Sequence, residues 1–229
     1  MSAADGLSTD RRGFVGALAA IGGGAVLHGH SHVEELLAAR RITAANPASD
    51  EWLDRLKGKY KQLLDAPDPD GGTILRHAKN YLDTWREAYD VPDHDVSVIV
   101  TFYAKTTPLG VQDAMWAKYK LGEAINLTEP GSSTPLVRNY FAHPQPGDPV
   151  GDNTPECSME ALMRRGVLFA LCNNAVKRWS IRLEKAGLGK ASEIHDDLAA
   201  HTVPGVVLVP DALIAMTKAH DRGFAYARS

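Results

Sequence analysis

Cys172 is the residue of this sequence best placed to do chemistry. It ends the apolar run GVLFAL, Gly166 to Leu171, and is followed by Asn173, Asn174 and a helical pattern that lasts to about Ala186. A strand that turns directly into a helix leaves its last side chain among free N–H groups, at the positive end of the helix dipole. That setting favours a thiolate, the form of sulfur that attacks electrophiles or carries a second sulfur atom. Asn173 or Asn174 can cap the helix and hydrogen-bond a ligand. A bland reading stands beside this one, because unpaired cysteine is among the most buried residue types. The second cysteine, Cys157, lies fifteen residues earlier, a spacing that fits no metal motif. A Cys157–Cys172 disulfide is the structural rival to a reactive Cys172.

Other residues with chemical capacity carry weaker signals. Tyr103 and Lys105 follow the β-branched run VSVIVTF, and Lys105 can favour a thiolate or hold an anion. The alternating His28, His30 and His32, with His143, offer imidazoles for a metal or haem, but the trio has no carboxylate or Cys beside it. No metal and no cofactor is therefore expected. Ser158, His195 and Asp197 do not compose a nucleophile elbow, and Asp196 and Asp197 read as a solvated helix face. No phosphate-loop pattern is present. Trp116 and Tyr119, three apart, read as core or as subunit contact.

These residues need elements to hold them. Lys59 to Asp65 reads as a first strand, although EWLDRLKGKYKQLL also carries helical spacing. Ile74, Ala78, Tyr81, Leu82, Trp85 and Tyr89 recur at helical intervals and predict an amphipathic helix over Thr73 to Tyr89. Val96 to Phe102 is a continuous apolar run, as in a strand buried on both faces. Pro108 to Lys120 reads as a helix. Residues 122–154 hold five of the thirteen prolines and no sustained periodicity. A loop of that length is usually a lid, a binding loop or an oligomer contact. Beyond it the pattern predicts a helix over Ser158 to Arg165, the strand before Cys172, and the helix that follows it. Helical spacing resumes from Ala191 to His201, and a strand covers Val206 to Val209. Asp211 can cap a last helix from Ala212 to Asp221, stopped by Gly223, before a short strand Phe224 to Ala227. Strands that alternate with helices predict a three-layer, flavodoxin-like α/β domain with about five mostly parallel strands. Ligands then sit beyond the carboxyl ends of the strands, at Asp65 to Gly72, Tyr103 to Thr107 and Cys172 to Asn174.

The composition is that of a globular protein, with 44% hydrophobic and 23% charged residues and a net charge of −3. There is no basic surplus to suggest nucleic acid. The N-terminus reads LSTDRRGFVGALAAIGGGAVLHG. Arg11 and Arg12 precede a short Gly/Ala-rich apolar run that is too short and too glycine-rich to span a membrane. That pattern resembles a twin-arginine (Tat) export signal. The chain accordingly divides into a signal segment 1–32, a linker 33–50 with a short helical piece from Val33 to Ile42, and one α/β domain, 51–229. The expected location is the periplasm, with membrane contact only through an uncleaved signal.

The C-terminal part resembles the DsrE family over residues 160–228. LFALCNNAVKRW supplies the apolar strand, Cys172, Asn173 and the helix. Pro204-Gly205-Val206 and Val209-Pro210 supply the turn and the valine-rich strand, and Gly223-Phe224-Ala225-Tyr226 supplies the terminal motif. WAKYKLGE, Trp116 to Glu123, resembles exported members of that family that carry Tat signals. The resemblance implies a five-stranded, usually oligomeric α/β domain. In sulfurtransferase members a cysteine carries sulfur as a persulfide between partner proteins, while other members have no established activity. It therefore implies Cys172 as the candidate sulfur carrier, with Asn173, Asn174, Tyr103 and Lys105 around the ligand. The partners implied are a second copy of the chain and a sulfur donor or acceptor. A non-enzymatic binding module with a structural Cys172 is the alternative.

Overall fold

The computed structural model describes residues 50–150 and 154–228, all within the compact unit 47–229. The Tat motif Arg11 and Arg12, the histidines His28, His30 and His32, and the expected helix Val33 to Ile42 lie outside the described residues.

Five parallel strands form one sheet in the order β4-β3-β2-β1-β5. They are β1 (Tyr60–Ala66), β2 (Val96–Phe102), β3 (Leu168–Cys172), β4 (Val207–Val209) and β5 (Ala225–Arg228). Every residue of β2 and β3 is buried, as their uninterrupted apolar runs require. Side chains alternate between two cores. Leu64, Val98, Val100, Phe169 and Leu171 face the larger one, whereas Leu63, Ile99, Leu168, Ala170 and Val209 face the smaller one. Helices cover both faces, giving the three-layer, flavodoxin-like α/β class that the alternation of elements predicts.

The helices are α1 (Thr73–Tyr89), α2 (Asp113–Tyr119), α3 (Leu121–Ala124), α4 (Met159–Arg164), α5 (Asn173–Lys185), α6 (Ala191–Ala200) and α7 (Ala212–Asp221). Helix α1 has the expected bounds and buries Ile74, Leu75, Ala78 and Leu82. The lead-in that reads equally as helix or strand forms only a 3-10 turn, Leu53–Arg55, before β1. The helix expected over Pro108 to Lys120 starts later. Ala104–Gly110 is a 3-10 segment, and Val111 is extended and bridges Thr202. The Gly110 carbonyl accepts from Val203 N at 2.9 Å, so this stretch is pinned to the chain after α6 and helix α2 begins only beyond it. Trp116 and Tyr119 are core, with the Trp116 indole donating to the Pro108 carbonyl at 2.9 Å. Asp197 is not merely solvated. Its carboxylate accepts from Tyr119 at 2.7 Å and from Lys118 at 2.6 Å, clasping α2 to α6.

The proline-rich stretch after α3 is packed into the larger core. Leu136, Phe141, Ala142 and Val150 are buried there. Asn139 donates its side-chain amide to the carbonyls of Leu109 and Val111, both at 2.8 Å. Gly122 meets this stretch at van der Waals range. An added Cβ would collide with the Leu136 carbonyl oxygen and lie 2.8 Å from the Leu136 nitrogen. Gly122→Ala is therefore expected to cost about 3 kcal/mol, the upper end of overpacking penalties. That corresponds to a fall of roughly 6–12 °C in melting temperature for a domain of this size, readable by calorimetry. An unchanged melting temperature would mean that the stretch is not seated on α3.

Candidate functional site

Strand β3 runs into α5, whose Val176, Trp179 and Leu183 join the larger core. Strand β4 runs into α7, whose Ala215 and Ala219 join the smaller one. Neighbouring strands therefore send their chains to opposite faces of the sheet. A crevice opens at such a switch point in an open parallel sheet. Cys172 ends β3 there, paired in register with Val209 of β4.

The Cys172 sulfur receives two backbone N–H groups, from Ala175 of α5 at 3.4 Å and from Ala212 of α7 at 3.3 Å. Two helix starts thus converge on one sulfur, and both dipoles present their positive ends to it. Asp211 caps α7 by accepting from Leu213 and Ile214. It also accepts from the Asn174 side chain at 2.9 Å, tying the two helix starts together, and these bonds hold its carboxyl below the usual range. Asn173 accepts from His195 Nε2 at 2.8 Å. Neither asparagine caps α5, contrary to expectation. The sulfur itself takes the cap position, which frees both amides for other helices.

Cys172 is 4% exposed and packs with Ala175, Ala212, Tyr103 and Met216. Cys157 and Cys172 are both free thiols, so the disulfide weighed from the sequence is not formed. Cys157 belongs to the larger core, while Cys172 sits in a separate small cluster beside α7.

Tyr103 links Cys172 to a second group of polar side chains. Its hydroxyl donates to Asp65 at 3.2 Å, and Tyr226 of β5 donates to the same carboxylate oxygen at 2.6 Å. Thr101 donates to the other oxygen at 3.3 Å. Burial, followed by the bond to Asp65, pushes the Tyr103 phenol up to about 12. The bond to Asp65, followed by burial, also raises the Tyr226 phenol. Asp65 is 3% exposed and forms no ion pair among the described residues. The backbone beyond Tyr103 is strained, with Ala104 at φ 51°. Its carbonyl is held by the Trp179 indole at 2.7 Å and the Thr107 hydroxyl at 3.0 Å.

Lys105 does not serve Cys172. Its ammonium pairs with Asp68 at 2.7 Å on the exposed tips of β1 and β2 and pulls the Asp68 carboxyl down. His143 pairs with Glu160, and no group of three metal-ligating side chains exists among the described residues. Asp65 opens one of the expected strand tips and Tyr226 belongs to the terminal motif, but their pairing is not legible in the sequence. His195, which builds no hydrolase constellation, instead holds the side chain of Asn173, the residue after Cys172.

No protein-family model matches the chain, and no curated protein matches it. Among solved structures, it is similar to a protein of unknown function from Methanobacterium thermoautotrophicum. The identity is 16%, the TM-score 0.39, and the match covers 74% of this chain and 99% of that one.

Proposed function

We propose that this chain is an exported DsrE-like protein that takes up sulfane sulfur, or a small sulfur compound, at Cys172. The observation that carries the reading is the pair of helix starts whose N–H groups meet the Cys172 sulfur at a sheet switch point. The step is balanced without a redox partner. The Cys172 thiolate attacks the outer sulfur of a persulfide R–S–SH, a new S–S bond forms, the donor's own S–S bond breaks, and R–S⁻ leaves with that electron pair. Cys172 then holds the sulfur as Cys–S–SH until an acceptor thiolate removes it in the same way. Asn173 and Asn174, which follow Cys172, and Tyr103, which packs against it, are the side chains proposed to meet the donor.

The 4% exposure of Cys172 favours a second reading, a non-enzymatic oligomeric binding module in which the sulfur is structural. One experiment separates the two. The native protein is incubated with a polysulfide donor and its intact mass recorded. Sulfur uptake adds about 32 Da per chain as a persulfide. A chain whose mass does not change, and whose thiols alkylate only after denaturation, is the structural module.

Partners under the first reading are a second copy of this chain and a protein or small-molecule sulfur donor or acceptor. The periplasm is the proposed location. Replacing Arg11 and Arg12 together by lysine is expected to leave the protein in the cytoplasmic fraction. Periplasmic recovery of that variant would rule out Tat export.

A further inference from the structure

The opposite end of the sheet carries a different chemistry. There the starts of β1, β2 and β3 enclose a cavity of about 520 Å3, within the size range of small-molecule sites. Arg55, Lys57, Arg164 and Arg165 line it, against the single carboxylate of Asp93. That carboxylate is already spent. Arg165 grips it through Nε at 2.7 Å and Nη2 at 3.0 Å, while Asp83 takes the remaining Nη1 at 2.8 Å. Arg164 pairs with Glu160 at 2.9 Å. Arg55 and Lys57 form no ion pair among the described residues, and the neighbouring Asp54 is engaged by Arg222 at 2.8 Å. Lys57 lies within the field of the Asp54 carboxylate without bonding it. Two cations therefore line the cavity without a direct ion pair.

A buried donor lines the same space. Ser97 is 2% exposed, and its hydroxyl oxygen accepts from Gly58 N at 2.9 Å. Its own O–H has no acceptor among the described residues, although buried donors are normally satisfied. Unpaired cations and an unspent buried hydroxyl proton ask for the same ligand, an anion rich in acceptor oxygens.

We propose that this cavity binds the phosphate group of an anionic ligand, held by Arg55 and Lys57 and by the Ser97 hydroxyl. The phosphate can belong to a free small molecule or to a lipid headgroup, and the test tells them apart. Full-length protein is titrated with inorganic pyrophosphate by calorimetry, and separately floated with phosphatidylglycerol or phosphatidylcholine vesicles. The variant Arg55→Gln/Lys57→Gln changes two exposed side chains, and its melting curve checks the fold. A control variant, Lys185→Gln/Lys190→Gln, makes the same charge change elsewhere on the surface.

Saturable pyrophosphate binding, weakened about tenfold or more in the cavity variant but not in the control, supports a free phosphate ligand. Flotation with phosphatidylglycerol alone, lost in the cavity variant and kept in the control, supports the headgroup. Binding of neither probe, or equal loss in both variants, overturns the proposal. Cys172 is untouched throughout, so the outcome is independent of the sulfur reading.

Discussion

Cys172→Ser protein is expected to gain no sulfur from a polysulfide donor, while Cys157→Ser protein gains the full increment of about 32 Da. Serine is the informative replacement because its hydroxyl can accept the Ala175 and Ala212 N–H groups that the sulfur accepts now. The start of α5 therefore keeps a cap, and the fold survives the loss of the nucleophile. Alanine would remove the acceptor and cost about 1 kcal/mol at the cap, confusing lost chemistry with lost stability. Cys157 is the internal control. It is a buried free thiol as well, but its contacts are those of the larger core, with the Thr154 hydroxyl 3.5 Å from its sulfur. If burial alone governed uptake, the two thiols would behave alike. If the two helix starts govern it, only Cys172 loads. Retention of the mass increment in Cys172→Ser would remove Cys172 from the reaction. No increment in the native protein would leave the structural module.

Local patterns made much of this fold legible, and local patterns only. Strand β2 and helix α1 have the bounds read from the sequence because a continuous β-branched run and a sustained helical period each leave one way to bury their apolar atoms. Asp211 caps α7 as its position before an apolar helix implies. The candidate site was legible in part. Cys172 stands at a strand tip and a helix start, as read. Its second N–H donor comes from Ala212, forty residues on, and nothing near Cys172 in sequence announces it. The partner of Asp65 escaped for the same reason, since Tyr226 is 161 residues away. Sheet order brings these pairs together, and alternation of strands and helices does not specify sheet order. The asparagines illustrate a different limit. Propensity favours Asn as a cap, but the chain had a sulfur one residue earlier and used the amides to join helices instead.

The stretch between α3 and α4 is also tied by Arg138, which pairs with Asp148 and, at 3.2 Å, with Glu129, and breaking the Asp148 pair is expected to have the largest effect on stability. Arg138 grips Asp148 with two N–H groups, at 2.7 Å and 2.6 Å, and the Gln145 backbone N–H adds a third bond at 2.6 Å. The Asp148 side chain is 3% exposed, so it cannot exchange Arg138 for water. Arg138→Met is expected to cost about 3–5 kcal/mol, because it strands a buried charge. Adding Asp148→Asn removes that charge and should restore part of the loss, which a mere packing defect at Arg138 would not allow. The pH dependence has a definite sign. The Arg138 guanidinium above all, and the Gln145 N–H with it, hold the folded Asp148 carboxyl below its ordinary value. The pair's contribution is therefore complete above the ordinary aspartate range, near pH 4, and fades as the pH falls through the lower folded value. The gap in denaturation midpoint between native protein and Arg138→Met should be wide at pH 7 and should close in acid. A gap that stays constant from pH 7 to pH 3 would show that Arg138 acts through its aliphatic stem, not its charge.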